Sequence, residues 1–304
     1  MTAHFNYKDT LARAERIRWR VEDLIGDGKR LDFTKRFLPE SLARTEPVSF
    51  LSPREKRLLN QIRAHGYLYT FGLVEEFILP FVMDHTRALI DERDDYRTRA
   101  LLQFAGEEAK HIHLFKKFRE EFLSGFGVAC DVIGPPEAIS AKVLGADPLA
   151  VSLLILGIEW MTQAHYTESV RDDAELDPLF KSLLKHHWME EMQHAQLDSL
   201  MTDAIAASRN ADERLAGVRG YLELGAFLDG GLAEQAKMDL DALERAAGRR
   251  FDASERAEIV RTQHQALRWT FIGSGLVHPQ TKAALHRVSP QGAKEIADVA
   301  PAFC

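Results

Sequence analysis

Apolar positions recur along most of this chain at the three-to-four-residue period of an amphipathic helix, and strict two-residue alternation is scarce. The helix formers Ala, Leu, Glu, Arg and Lys dominate. Residues 7–25 read as a first amphipathic helix, stopped by the turn signal Gly26-Asp27-Gly28. Residues 31–51 are mixed and carry Pro39 and Pro47. Ser52-Pro53-Arg54-Glu55 combines a Ser N-cap, Pro at the first helical position and Glu at the third, and it predicts a helix running to about residue 91. The polar knot Asp91-Glu92-Arg93-Asp94-Asp95 breaks that pattern, and a second helix spans about 95–123. Residues 124–147 hold Gly125, Gly127, Gly134, Pro135, Pro136 and Gly145, which predicts a long connection with room for one short helix. Asp147-Pro148 opens a third helix ending near Asp172, and Asp177-Pro178 opens a fourth ending near 208. Two or three further helices fill 211–274, and a tail follows Pro279. No low-complexity linker divides the chain. The expectation is a single all-α domain over 1–304, with a four-helix core at about 52–208 and accessory helices at 7–25 and 211–274.

Composition narrows the function classes. Of 304 residues, 45% are hydrophobic and 28% charged, so a core is affordable and disorder is excluded. Lys and Arg number 39 against 46 Asp and Glu, a net charge of −7 that gives no general attraction to nucleic acid or anionic membranes. Cys130 and Cys304 alone support neither a disulfide framework nor a cysteine-based zinc or iron–sulfur site. The first twenty residues lack the apolar core of a signal peptide, and the longest apolar run, 149–158, is too short to span a bilayer. A cytoplasmic protein without membrane or nucleic-acid partners is expected.

Two ExxH motifs carry the chemistry: Glu108 with His111, and Glu191 with His194. On a helix, positions i and i+3 share a face, so each motif aims a carboxylate and an imidazole the same way. Each copy is preceded 32 residues upstream by another Glu in an apolar stretch, Glu76 before Glu108 and Glu159 before Glu191, and the two sets superpose at a constant offset of 83. The midpoint of each pair falls in a polar break, at 92 and at 175, so an antiparallel hairpin would set each lone Glu level with its ExxH. One Glu from each of two helices plus ExxH from each of the other two is the carboxylate dimetal pattern of ferritin-like bundles. Charge agrees: four glutamates balance two divalent ions, whereas the same carboxylates buried alone would cost several kcal/mol each or take up protons. Glu159 is the only charged residue between Asp147 and Glu168, and Glu75 and Glu76 are the only ones between Arg63 and Asp84.

Several neighbours compete with these positions. Glu75 lies about 100° around the helix from Glu76; the 83-residue offset selects Glu76. Glu168 lies opposite Glu159. Glu107 and Glu190 also match at offset 83 but are expected to point away from the ligands, as outer partners or solvated groups. Asp198, four residues after His194, is placed to orient it by a hydrogen bond or to face solvent. His113, His165 and His186 are off the ligand face. Pro80 removes the helical hydrogen bond to the carbonyl of residue 76. Gly273-Ser274-Gly275 is too short for a phosphate loop. His187 precedes Glu191 by four residues on the ligand face, while the first hairpin has Phe104 at the equivalent place, so His187 is either a third imidazole ligand or a packed partner of one.

The order E…ExxH…E…HxxxExxH resembles the ferritin-like di-iron carboxylate proteins and is most similar to the p-aminobenzoate N-oxygenase family of arylamine oxygenases, over about residues 55–205. The resemblance implies seven ligands to two irons, at Glu76, Glu108, His111, Glu159, His187, Glu191 and His194. It implies an O2-dependent non-haem di-iron oxygenase that transfers oxygen to a small organic substrate, with N-oxygenation of an amine as one form. An electron donor and a homodimer accompany that reading. Carboxylate and imidazole donors also suit manganese, so a manganese–iron oxidase stays open. Iron storage with ferroxidase action, or a structural dimetal protein, are the other readings.

Overall fold

A computed structural model of the chain describes residues 5–26, 28–87 and 95–304. Side chains at the helix starts cap the orphan N–H groups there. Asn6 accepts from the backbone N–H of Asp9 ahead of α1 (Tyr7–Ala14). A short α2 (Val21–Leu24) and α3 (Glu40–Ala43) follow, and then the long α4 (Pro53–Arg87) and α5 (Asp95–Phe126). After α6 (Pro136–Leu144), Asp147 caps α7 (Pro148–His165), which runs on through a π-helical turn at Tyr166–Val170. Asp177 caps α8 (Pro178–Ala207). Capping boxes at Asn210/Glu213 and Asp252/Glu255 open α9 (Ala211–Ala247) and α10 (Ala253–Arg268). A second π-helical turn, Trp269–Gly273, leads into α11 (Ser274–Val277), α12 (Pro279–Val288) and α13 (Pro290–Val299).

Helices α4, α5, α7 and α8 form the expected all-α, ferritin-like bundle. Gly72 meets Phe115 and Arg119 lies over Tyr69, an antiparallel order for α4 and α5. Ser152 reaches Thr202 and Tyr166 stacks on Trp188, the same order for α7 and α8. The connection holding α6 joins the two hairpins. Helix α1 lies on the outer side of α5 and α8, while α9 lies across α4 and α7. The bundle is therefore covered on two opposite faces by different elements. By length and composition α4 could cross a bilayer, but 72% of its apolar window is buried inside the protein.

Two sequence expectations change, and a third lies outside the described residues. The helix expected at 7–25 breaks after α1, and residues 17–20 are non-helical before α2; the break lets the Trp19 ring lie flat on the bundle, where it stacks on His111. The expected tail after Pro279 is instead two helices, each with Pro at its first turn and a side chain from the preceding residue, His278 or Ser289, as cap. The expected end of α4 near 91 and most of the polar knot lie outside the described residues.

The segment 31–51 is held by side chains as well as by one backbone bridge, between Arg36 and Leu176. Asn60 of α4, fully buried, accepts from the N–H groups of Phe37 and Leu38 and donates to the Leu38 carbonyl. Gln61 donates to the carbonyls of Phe33 and Lys35. Asn60→Ala would strand three buried backbone groups, so we expect a loss of about 3 kcal/mol in stability, measured by urea unfolding, with the bundle helices retained by circular dichroism.

Candidate metal centre

Four bundle helices deliver acidic and imidazole side chains to one buried point. Two overlapping groups form there, Glu75 with His111, His187 and Glu191, and Glu108 with His111, Glu191 and His194. In each group the donor atoms lie within 4.8 Å of one another, close to the separation that bonds of about 2.1 Å to a shared ion would set. His111 and Glu191 belong to both groups, so the two groups are adjoining parts of one cluster. Glu159 lies just outside both, its carboxyl against that of Glu191.

The hydrogen-bond pattern tests whether metals fit. The Glu108 oxygens, one oxygen each of Glu75, Glu159, Glu191 and Asp198, and Nδ1 of His111 and of His194 are all buried without a hydrogen-bond partner. Unsatisfied buried polar atoms are rare, and here they converge. Nδ1 of His194 stands 2.7 Å from Glu108 and Nδ1 of His111 stands 3.0 Å from Glu191. These are distances at which lone pairs repel unless a proton or a cation lies between them. The opposite ring nitrogens are held from outside: His111 Nε2 is 2.9 Å from Glu190, and His194 Nε2 is 2.9 Å from Glu107. Each imidazole therefore keeps its proton on Nε2 and turns Nδ1 to the centre, the usual support of a metal-bound histidine. The donor set is able to hold a two-metal centre.

Protonation tells the same story without ions. Burial, with Glu75 beside it, pushes the Glu108 carboxyl well above the usual range, and burial with Glu191 does the same to Glu159. Burial and neighbouring Glu191 and Glu75 also raise Asp198 against the opposing pull of His194. Burial alone would lower His187, yet the Glu191 and Glu75 carboxylates outweigh it and hold His187 up at about 9. Burial likewise opposes the charge on Glu191, but His187 and His194 outweigh it and keep that carboxyl ionised. Protons thus occupy the positions that cations would take.

Most sequence-predicted residues arrive at this point, with two rearrangements. Glu108, His111, His187, Glu191 and His194 are in the clustered groups, and Glu159 adjoins them. Glu76 does not: its side chain is 32% exposed and pairs with Lys116 at 2.6 Å. Glu75 takes its place, buried and 2.9 Å from His187. The 83-residue offset is therefore off by one at this position, because Glu76 faces outward beside Lys116 while Glu75 meets the extra imidazole of α8. Glu107 and Glu190, expected as outer partners or solvated groups, reach across the α5–α8 seam and hold the opposite helix's histidine from outside the cluster. Glu107, not Asp198, orients His194. Phe104, the counterpart of His187, stacks on the His194 ring at 4.1 Å. His165 bonds Ser274, and His186 bonds the Ser182 carbonyl, both away from the cluster.

No protein-family model matches the chain, and no curated protein matches it. Among solved structures it is similar to a variant of an R2-like ligand-binding oxidase with an aerobically reconstituted Mn/Fe cofactor, at a TM-score of 0.50 and 15% identity, over 87% of this chain and 92% of that one. A second variant of an R2-like ligand-binding oxidase, also with an aerobically reconstituted Mn/Fe cofactor, matches at a TM-score of 0.50 and 15% identity, over 87% of this chain and 93% of that one. At this identity the likeness bears on the fold.

Glu75→Ala is expected to lower bound iron below about two ions per chain, while Glu76→Ala leaves the stoichiometry intact and shifts stability by at most ~1 kcal/mol, as an exposed pair allows; metal analysis of the two purified variants checks this. His187 supplies a pH test. Its folded value of about 9 exceeds the unfolded value near 6.5, so its stabilisation is complete below about pH 6.5 and is lost as pH rises through 9. The raised carboxyls of Glu108 and Glu159 act in the same direction from lower pH. The melting temperature of chelator-treated protein should fall between about pH 7 and 9.5, and metal loading should flatten that profile.

Proposed function

We propose that this chain is an O2-dependent dimetal oxidoreductase that oxidises a small, largely apolar organic substrate, and that the reaction is oxygen-atom transfer. The observation that carries this reading is the convergence of buried, unpartnered carboxylate and imidazole donors at one point in the bundle. Two irons, or one manganese and one iron, would be held by Glu75, Glu108, His111, Glu159, His187, Glu191 and His194, and would supply the electrons that reduce O2.

The protein's own residues do the rest. Glu107 and Glu190 fix the ring orientation of His194 and His111 and raise their basicity. Phe71 and Phe115 stand edge-on to His187 and shut water out on that side. A cavity of about 690 Å3 lies on the α4, α7 and α9 side, walled by Phe71, Val74, Phe77, Ile158, Met161 and Phe271. Phe71 both lines the cavity and stands against His187, so the inner wall is one side chain from the cluster. Such a volume suits a small molecule, and its apolar walls favour an organic substrate over the hydrated ions that a storage protein must conduct. N-oxygenation of an arylamine is the form of the reaction favoured by the motif resemblance.

The test is anaerobic loading with Fe(II), or with Mn(II) and Fe(II), followed by labelled O2 and an arylamine such as p-aminobenzoate. We expect about two metals per chain, O2 uptake that depends on them, and label in the product; a chain that binds no metal ends the proposal. Ala138, exposed at the cavity mouth, gives a second check. Ala138→Trp should reduce kcat/KM for substrate about tenfold by narrowing entry, roughly 1.4 kcal/mol, with metal content unchanged.

A further inference from the structure

The face opposite the cavity carries a different set of features. Helix α1 lies over α5 and α8, and the non-helical residues 17–20 follow it. There the half-buried Trp19 ring stacks on His111, with centroids 6.1 Å apart and planes 9° from parallel. His111 is one of the two residues common to both clustered groups. The ammonium of Lys110 sits 3.9 Å over the other part of this arrangement, above the Trp19 ring, and pairs with Glu190, which holds His111 Nε2. His186 makes an edge contact with the same indole, with ring centroids 5.6 Å apart, and the indole N–H makes no hydrogen bond. An aromatic ring and a charge-assisted hydrogen-bond chain therefore run side by side from the surface to a residue of the cluster.

The rim around Trp19 is basic, although the chain is acidic overall. Arg13, Arg16, Arg18 and Arg20 are all exposed. Three of the acids beside them are already engaged: Glu15 pairs with Arg99, Glu22 with Arg20, and Glu190 with Lys110, while Asp23 is exposed at the edge of the patch. Arg16 and Arg18 pair with no carboxylate among the described residues, and Lys185, next to His186 on α8, is exposed and likewise unpaired with one. A local positive patch on a protein of net charge −7 attracts and orients a negatively charged partner.

We propose that the Trp19 face is the docking and electron-entry surface for an acidic one-electron carrier protein. The inference rests on the proposed O2 chemistry. Inserting one oxygen atom of O2 into a substrate consumes two electrons and two protons besides the substrate and releases one water; two successive encounters with a reduced carrier supply the two electrons, each carrier leaving oxidised by one. The stacked indole brings the carrier's electron to His111 without a bond being made or broken. The Lys110 ammonium disfavours a positive charge on the ring, so Trp19 conducts without itself being oxidised. Substrate enters from the α4–α7–α9 side and electrons from the α5–α8 side, so neither blocks the other.

The experiment uses a reduced acidic [2Fe–2S] ferredoxin as the probe carrier and the full chain, metal-loaded and metal-free. Binding of the oxidised carrier should be detectable with both forms, weaken with added salt, and weaken about tenfold in the double variant Arg16→Glu/Arg18→Glu, while reduction by dithionite stays unchanged. Trp19→Leu should leave carrier affinity and metal content intact but slow reduction of the metal-loaded, oxidised protein by the carrier at least tenfold in stopped flow. Unchanged affinity in the double variant, or no binding at all, overturns the docking surface. An unchanged electron-transfer rate in Trp19→Leu overturns the entry route. Carrier binding to the metal-free chain is read independently of metal stoichiometry, so a failure of the dimetal reading is distinguished from a failure of this one.

Discussion

Four buried carboxylates that cannot all be ionised side by side are the constraint on which the rest of this structure depends. Glu75, Glu108, Glu159 and Glu191 reach one point from four helices, and burial there removes the water that would screen them. Three imidazoles at the same point make the cluster suited to cations and costly without them. Helix α4 supplies Glu75, α5 supplies Glu108 and His111, α7 supplies Glu159, and α8 supplies His187, Glu191 and His194. Shifting any one helix along its axis would break the arrangement, so the site constrains the bundle's register as much as the bundle builds the site.

The two halves of the bundle are similar but not equivalent, and the difference lies in one position. His187 on α8 meets Glu75, whereas its counterpart Phe104 on α5 packs flat on His194. One side of the cluster thus gains a nitrogen donor and the other an aromatic wall. A symmetric pair of ions is not what such a donor set favours, which suits either inequivalent irons or two different metals.

The covering elements extend this asymmetry outward. Helix α9 leaves an apolar cavity against α4 and α7, and the break after α1 lays Trp19 and a row of arginines over α5 and α8. Neither cover belongs to the four-helix repeat. The repeat provides the metal-suited cluster, and the added segments cover it differently on each side.

Much of this was legible in sequence because it rests on local rules. Helical periodicity, Pro and Asp at helix starts, and the 83-residue offset located the bundle, both ExxH motifs, Glu159 and His187. The same capping rule was present at His278-Pro279 and Ser289-Pro290, where two helices stand in place of the expected tail. What sequence could not decide were choices between neighbouring residues on a helix apolar all round. Along α4, apolar side chains flank both Glu75 and Glu76, so periodicity has no face to select; Lys116 from α5 and His187 from α8 make the choice. The reach of Glu107 and Glu190 across the α5–α8 seam likewise depends on the partner helix carrying an imidazole at that height. The sequence by itself determined which residue types could bind metal and at what spacing. Only the tertiary structure decided which carboxylates face inward, because that depends on charges contributed by other helices, far away along the chain.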